Sequence, residues 1–131
     1  MIAIFVVAHV PLASSLASCA RHVLGTEPDI HVFDIHPIDC ASESSPRLAA
    51  AILTANQGEG VLVLTDLPGA TPSNIAVAAS AIAREQGVAC RVLGGVNPSM
   101  LLKAITYRSA ALDIVMDKAL HGATQAVLRV D

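Results

Sequence analysis

Aromatic and basic residues are scarce in this chain of 131 amino acids. Aromatic side chains make up 2% of the sequence, tryptophan is absent, and the formal net charge at pH 7 is −3. Proteins that bind nucleic acids carry a basic surface, and those that bind single strands add aromatic side chains that stack on the bases. The composition therefore argues against a nucleic-acid ligand.

Long apolar runs and a basic leader are also missing. The apolar residues occur in short segments, none of them near the roughly 20 residues that a membrane-spanning helix needs. The apolar run at 2–8 follows Met1 directly, without the basic residues that begin a secretory signal peptide. We therefore expect a soluble protein of the cytoplasm.

The cysteines show no pattern of a metal or disulfide site. Cys19, Cys40 and Cys90 are odd in number, and none of them belongs to a CxxC pair. Reduced thiols in a cytoplasmic protein explain them, so we assign them neither a zinc ion nor a redox role.

Charged residues make up only 15% of the chain, which suggests that a partner or a second copy covers some apolar surface.

The sequence does contain short apolar segments that alternate with segments of helical periodicity. Strands are predicted at 2–8 (ending on His9), 30–35, 61–66 and 88–96, and helices at 12–24, 46–56, about 71–86, from about 97, and at 110–121. Apolar strands that alternate with helices predict a parallel sheet with helices on both faces. We therefore expect residues 1–131 to form one doubly wound α/β domain, with a mostly parallel four-stranded sheet in the order 2-1-3-4. The segment AVLRV (126–130) is a candidate edge strand.

Two of these strands end on residues that could act together. His9 ends the first strand and Asp66 ends the third. In a doubly wound sheet the ligand site lies beyond the carboxyl ends of the strands, where the strand order reverses, and these two strands are neighbours there. If the Asp66 carboxylate accepts the Nδ1–H of His9, it fixes the imidazole tautomer and leaves Nε2 free as a nucleophile.

The loop after Asp66, LPGATPSN, offers a small anion site. Thr71 is predicted as a helix N-cap and Pro72 as the first helical residue, while Gly69 permits close backbone approach. The free N–H groups of such a helix start, with a threonine hydroxyl, suit transient binding of a phosphoryl group, since a helix end contributes about 0.3–1 kcal/mol. The loop GGVNPSM (94–100) is expected to form a third wall of the same crevice.

Each feature has a simpler explanation when it is taken alone. A histidine at a strand end is commonly a polar loop residue, an aspartate there can cap a turn, and Thr-Pro commonly begins a helix. Their convergence on one crevice favours a site. No such setting surrounds the other histidines, His22, His31, His36 and His121. Motifs of nucleotide-binding loops, serine hydrolases and zinc proteases (GxGxxG, the Walker loop, GxSxG, HExxH) do not occur.

Three segments resemble the enzyme IIA component of mannose-type sugar phosphotransferase systems (PTS). They are IAIFVVAH (2–9), which ends on His9, GVLVLTDLPGATPSN (60–74) and LGGVNPSML (93–101). Together with the order of elements, the resemblance covers essentially the whole chain. The middle segment is the most specific, because members typically show an Asp, a Gly-Gly-Ser/Thr-Pro run and an Asn at these spacings.

The resemblance implies a phosphotransferase that needs no metal or other cofactor. His9 would accept a phosphoryl group from phospho-HPr and pass it to a IIB protein, or to another target in a regulatory phosphorelay. Asp66 would orient His9. The phosphoryl oxygens would be held by Gly69, Ala70, Thr71 and Asn74.

The resemblance also implies how the protein assembles. Family members are usually homodimers, often with a C-terminal strand exchanged between subunits, and residues 126–130 are a candidate for that strand. The protein would reach a membrane only indirectly, through a IIC/IID permease.

Three positions depart from the family pattern. Many members carry Gly directly after the active histidine, whereas this chain has Val10 and then Pro11. The Gly-Gly pair is replaced by Gly69 and Ala70, and Pro98 is displaced by one position in the Asn-x-Pro-Met motif. Because valine disfavours a positive φ, either the loop after His9 follows a different path or the site is weakened.

Three functions stay open at this point. The first is a phosphocarrier, with a IIA-like phosphodonor subunit of a dihydroxyacetone kinase as its nearest variant. The second is a non-catalytic regulatory binding module, in which His9 is never phosphorylated or serves only as a sensor. The third is a small-molecule enzyme that uses His9 and Asp66 as acid and base.

Overall fold

The computed structural model, which describes residues 1–131, contains four strands and five helices that alternate along the chain until two helices end it. The strands are β1 (Ala3–His9), β2 (His31–Ile35), β3 (Val61–Thr65) and β4 (Cys90–Leu93). The helices are α1 (Leu12–Leu24), α2 (Ala41–Ala55), α3 (Thr71–Glu85), α4 (Pro98–Tyr107) and α5 (Leu112–Gln125). All strand pairs are parallel and the order is β2-β1-β3-β4, so the predicted fold class and strand order are confirmed.

Alternate residues of the central strands contribute to two hydrophobic cores. Ile4 and Val6 of β1 pack on one face of the sheet, against α1, α4 and α5. Phe5 and Val7 of the same strand pack on the other face, against α2 and α3. Because β1 and β3 are buried on both faces, their sequences are nearly continuous apolar runs.

Helix α2 begins at Ala41, five residues before the predicted start at Pro46, which lies inside the helix. The prediction was wrong because it treated this proline as a first helical residue. Pro46 is exposed and lies early in the helix, where its missing N–H removes a single backbone hydrogen bond. Glu43 in the first turn places a negative charge at the positive end of the helix dipole and favours the earlier start.

Helix α5 continues to Gln125, past the predicted end at His121. The residue after His121 is Gly122, which is buried inside the helix. A Cβ atom at Gly122 would lie 2.4 Å from Cγ of Lys103, so the glycine lets α5 approach α4 closely.

None of the five helices combines the length and the apolar character needed to cross a bilayer.

The sheet ends earlier than predicted on its β4 side. β4 pairs with β3 from Cys90 to Leu93 only, instead of over 88–96, and Gly95 with a φ of 75° then turns the chain. Residues 126–130 form no strand in this chain, and Val127 and Val130 are exposed there. The exchange of this segment with a second copy stays a prediction.

The register of the sheet brings three loops to one edge. His9 pairs with Ile35 at the end of β2, and Val7 pairs with Thr65 at the end of β3. Because the strands are parallel, the segments that follow β1, β2 and β3 all leave from this edge.

Candidate functional site

His9 and Asp66, which are 57 residues apart in sequence, are in direct contact at this edge. Oδ2 of Asp66 lies 2.7 Å from Nδ1 of His9 and accepts a hydrogen bond of 3.0 Å from the backbone N–H of His9. One carboxylate oxygen therefore holds both the imidazole ring and the main chain of His9. The structure places the predicted pair side by side.

The two side chains differ greatly in exposure. The side chain of His9 is 46% exposed and that of Asp66 is 9% exposed. Burial raises the pKa of Asp66, but hydrogen bonds from the ring and backbone of His9, with the electrostatic attraction of His9, hold the pKa below its usual 3.8. Asp66 is therefore ionised at neutral pH and can only accept hydrogen bonds. In the neutral imidazole the proton then resides on Nδ1, and Nε2 carries the free lone pair.

The loop between β4 and α4 holds the backbone of Asp66 through hydrogen bonds. The backbone N–H of Gly95 donates to the carbonyl oxygen of Asp66 at 2.7 Å, and that of Val96 donates to Thr65 at 2.9 Å. A Cβ atom at Gly94 would lie 2.7 Å from Cγ of Pro68, so a glycine is needed where the two loops pack. Oδ1 of Asp66 is buried and has no hydrogen-bond partner in the chain.

His9 opens onto a cavity of about 320 Å³. Its lining residues come from three segments: His9, Val10, Ile35, His36, Pro37, Thr71 and Pro72. The third wall comes from the segment after β2, and not from the predicted loop at 94–100. The strand order explains this difference, because β2 is the direct neighbour of β1 whereas β4 lies beyond β3.

His36 lines this cavity although it lies in a segment predicted only as a polar loop. It is the first residue after β2, whose last residue Ile35 pairs with His9. The predicted strand order 2-1-3-4 already places the ends of β1 and β2 together. The signal that could have identified His36 is therefore its position directly after the second strand.

Among the predicted phosphoryl-binding residues, Thr71 lines the cavity, while Gly69, Ala70 and Asn74 do not. The predicted N-cap role of Thr71 is wrong. Ala70 has the extended backbone of an N-cap, and its carbonyl accepts the hydrogen bond of the Asn74 N–H, so Thr71 is the first helical residue. No side chain caps α3, which leaves the hydroxyl of Thr71 available to a ligand.

Gly69 and Asn74 shape the turn that carries Thr71. Gly69 has a φ of 87°, a backbone conformation that favours glycine. A Cβ atom built at Gly69 would have no other atom within 4 Å, so the glycine serves this turn and not a close approach of another segment. The side-chain amide of Asn74 donates to the carbonyl oxygen of Gly69 at 3.3 Å and closes the turn. The backbone N–H groups of Thr71 and Ser73 have no acceptor in the chain, so the start of α3 can donate to an anion.

The connection from His9 to α1 is held by β2. The Val10–Pro11 peptide is cis and Val10 has no positive φ, so the loop is built without the conformation that a glycine would permit. The Asp34 carboxylate accepts hydrogen bonds from the backbone N–H of Ser14, at 3.2 Å, and from its hydroxyl. Asp34 thus satisfies a donor at the start of α1 that no N-cap side chain serves.

No group of three or more His, Cys, Asp or Glu side chains is arranged to ligate a metal ion. Cys19, Cys40 and Cys90 are free thiols. Burial raises the pKa of Cys90 despite the hydrogen bond with Ser80 and the charges of Arg84 and Arg91, so this thiol is neutral at neutral pH. The arrangement at His9 is an imidazole held by a carboxylate, next to N–H groups that can donate to an anion.

Comparison with known families gives a match over most of the chain. The family model EIIA-man, described as the PTS system fructose IIA component, matches residues 3–120. No curated protein matches the sequence.

Solved structures of PTS proteins share the fold. The EIIA component from Streptococcus agalactiae superposes with a TM-score of 0.86 at 25% identity, covering 98% of this chain and 97% of that one. A mannose/sorbose-specific IIA subunit from Enterococcus faecalis gives 0.86 at 24% identity, over 99% and 95% of the two chains. The IIA protein associated with the fucose utilization operon of Streptococcus pneumoniae gives 0.76 at 22% identity, over 98% and 92%.

Proposed function

The chain belongs to the EIIA-man family of PTS IIA components, and we propose that it is a cytoplasmic phosphocarrier that uses His9. It takes a phosphoryl group from phospho-HPr and passes it to a IIB protein, or to another acceptor in a regulatory phosphorelay. The observation that carries this proposal is the 2.7 Å contact between Nδ1 of His9 and the buried carboxylate of Asp66. That contact keeps the Nε2 lone pair of an exposed imidazole free for attack.

In the transfer step, the Nε2 lone pair of His9 forms a new N–P bond as the N–P bond of the donor phosphohistidine breaks. The electron pair of the broken bond returns to the donor imidazole. Nδ1 of His9 keeps its proton, and Asp66 stabilises the positive charge that develops on the ring. Catalysis then consists mainly of in-line positioning and charge stabilisation.

The predicted phosphoryl-binding residues divide their roles in this proposal. Thr71 donates its hydroxyl, and the N–H groups of Thr71 and Ser73 donate at the positive end of α3. Gly69, Ala70 and Asn74 act by shaping the turn that presents them. Transfer onward to the acceptor reverses the same step, so no metal or nucleotide enters it.

The assembly is part of the same proposal. Val127, Leu128 and Val130 expose large apolar side chains in the segment after α5. Pairing of residues 126–130 with a second copy would cover them in a homodimer. The protein would reach a membrane only through a IIC/IID permease.

The test is phosphoryl transfer from radiolabelled phosphoenolpyruvate, with enzyme I and HPr supplied, to the wild type and to His9→Ala. We expect acid-labile, base-stable label on the wild type and none on His9→Ala. An unlabelled wild type beside fully phosphorylated HPr would contradict the proposal and favour a non-catalytic regulatory module. If the labelled protein passes its group to a dihydroxyacetone kinase but not to a IIB protein, the acceptor assignment changes and the role of His9 stands.

A further inference from the structure

We propose that His36 is a phosphoryl-positioning residue, whose imidazole N–H donates a hydrogen bond to an oxygen of the phosphoryl group on His9. This inference rests on the phosphocarrier function proposed above. It assigns a second histidine to the site, on the side of the cavity opposite to the start of α3.

The sheet places His36 directly beside His9. Ile35 is the register partner of His9, and the backbone N–H of Val10 donates to the carbonyl oxygen of Ile35 at 3.1 Å. His36 is the first residue after β2, and it lines the same cavity of about 320 Å³ as His9. Because β1 lies between β2 and β3, His36 and Thr71 flank His9 from two sides.

The backbone of His36 is fixed while its ring is exposed. A turn over residues 36–39 is closed by the Asp39 N–H, which donates to the carbonyl oxygen of His36 at 3.0 Å. The Asp39 carboxylate in return accepts the backbone N–H of His36 at 2.7 Å, and Pro37 restricts the second position of the turn. The carboxylate thus holds the main chain, and the imidazole, which has an N–H in either tautomer, keeps its donor for a ligand.

The cavity needs such a donor, because few of its side chains can bind an anion. Neither lysine nor arginine lines it, and apart from His9 its only side-chain donors belong to His36 and Thr71. A phosphoryl group presents three strong acceptor oxygens. Thr71 and the N–H groups of α3 approach them from the β3 side, which leaves the β2 side to His36.

The test compares His36→Leu and His36→Gln with the wild type in transfer from phospho-HPr, measured as maximal rate and as the KM for phospho-HPr. Leucine removes the donor at similar size, and glutamine retains an N–H donor. We expect His36→Leu to lower the maximal rate about tenfold or more, since hydrogen bonds to charged groups are the stronger ones, with the KM unchanged. His36→Gln should recover most of the rate, and His22→Leu, on the exposed surface of α1, should match the wild type.

Three results would overturn the assignment while His9 is labelled normally. An unchanged rate in His36→Leu would remove His36 from the site. Equal losses in His36→Leu and His36→Gln would mean that the shape of the ring matters and its donor does not. A higher KM at an unchanged maximal rate would make His36 a docking residue. A wild type without any label would instead overturn the phosphocarrier function itself, and this inference with it.

Discussion

His9 and His121 each line a surface cavity, and the cavity beside His121 is the larger, at about 540 Å³ against about 320 Å³. His121 lies on α5, in a groove shared with α4 that also contains Lys103 and Thr106 and is lined by no carboxylate. His9 is the last residue of a buried strand, and its Nδ1 lies 2.7 Å from a carboxylate that is almost wholly buried. Cavity volume and the presence of a histidine thus do not distinguish the two sites, whereas the buried carboxylate that contacts Nδ1 does.

The largest expected effect is that of removing His9, with the removal of His121 as its comparison. We expect His9→Ala to lose phosphoryl labelling from HPr entirely, because the nucleophile is gone, and His121→Ala to be labelled like the wild type. The measurement is incorporated label per protein, with matching circular dichroism spectra as the control for folding. Label on His9→Ala that disappears in the His9→Ala/His121→Ala double variant would place the acceptor on His121 and contradict the assignment of His9.

The carboxylate is the feature that separates the two histidines, and Asp66→Asn tests it. An amide donates as well as accepts, so it no longer forces the proton onto Nδ1 of His9. We expect the maximal rate of transfer to fall by roughly 100-fold, within the usual range for misplaced acid–base partners, while the protein stays folded. Asp117→Asn, which removes an exposed carboxylate from α5, is the matched control. An unchanged rate in Asp66→Asn would remove Asp66 from the mechanism.

The anion donors differ between the cavities as well. The hydroxyl of Thr71 makes no capping hydrogen bond at the start of α3. The hydroxyl of Thr106, in contrast, donates to the carbonyl oxygen of Leu102 in its own helix at 2.7 Å. We expect Thr71→Val to slow transfer about tenfold, as the loss of one hydrogen bond to a charged group implies, and Thr71→Ser to stay near the wild-type rate. Thr106→Val should have no effect on transfer. Equal rates for Thr71→Val and the wild type would remove the Thr71 hydroxyl from the proposed phosphoryl site.

The smallest expected effect is on stability in acid. The pKa of Asp66 is lowered in the folded protein, so on acidification the unfolded chain takes up this proton first. The stability that the Asp66 carboxylate contributes is complete above its usual pKa of 3.8 and is lost as the pH falls through the folded value. Urea unfolding between about pH 3 and about pH 7 should therefore show a steeper acid loss for the wild type than for Asp66→Asn. Parallel curves for the two proteins would contradict the lowered pKa.

The central part of the fold could be predicted because local pattern and tertiary burial agree there. β1 and β3 are buried on both faces, so their continuous apolar runs identify them as parallel strands. The strand order then places the residues that follow these strands together, and this is how His9 and Asp66 could be paired from the sequence.

The parts that could not be predicted depend on contacts between distant segments. Pro46 and Gly122 are ordinary signals for helix ends, yet both lie inside helices, the first exposed and the second packed against Lys103. The N-cap position of α3 is likewise decided by the Asn74–Ala70 hydrogen bond and not by the presence of Thr71. The contribution of the segment after β2 to the cavity was not predicted, because the strand order was used to place the ends of β1 and β3 but not the end of β2.

The most direct test of the His9–Asp66 site is the identity of the phosphorylated atom. The measurement is nitrogen–phosphorus correlation in the NMR spectrum of the ¹⁵N-labelled protein after phosphorylation by phospho-HPr. We predict phosphorus on Nε2 of His9, with Nδ1 still protonated against Asp66. Phosphorus on Nδ1 of His9, or on any other residue, would contradict the proposal that Asp66 fixes the proton and directs the nucleophile.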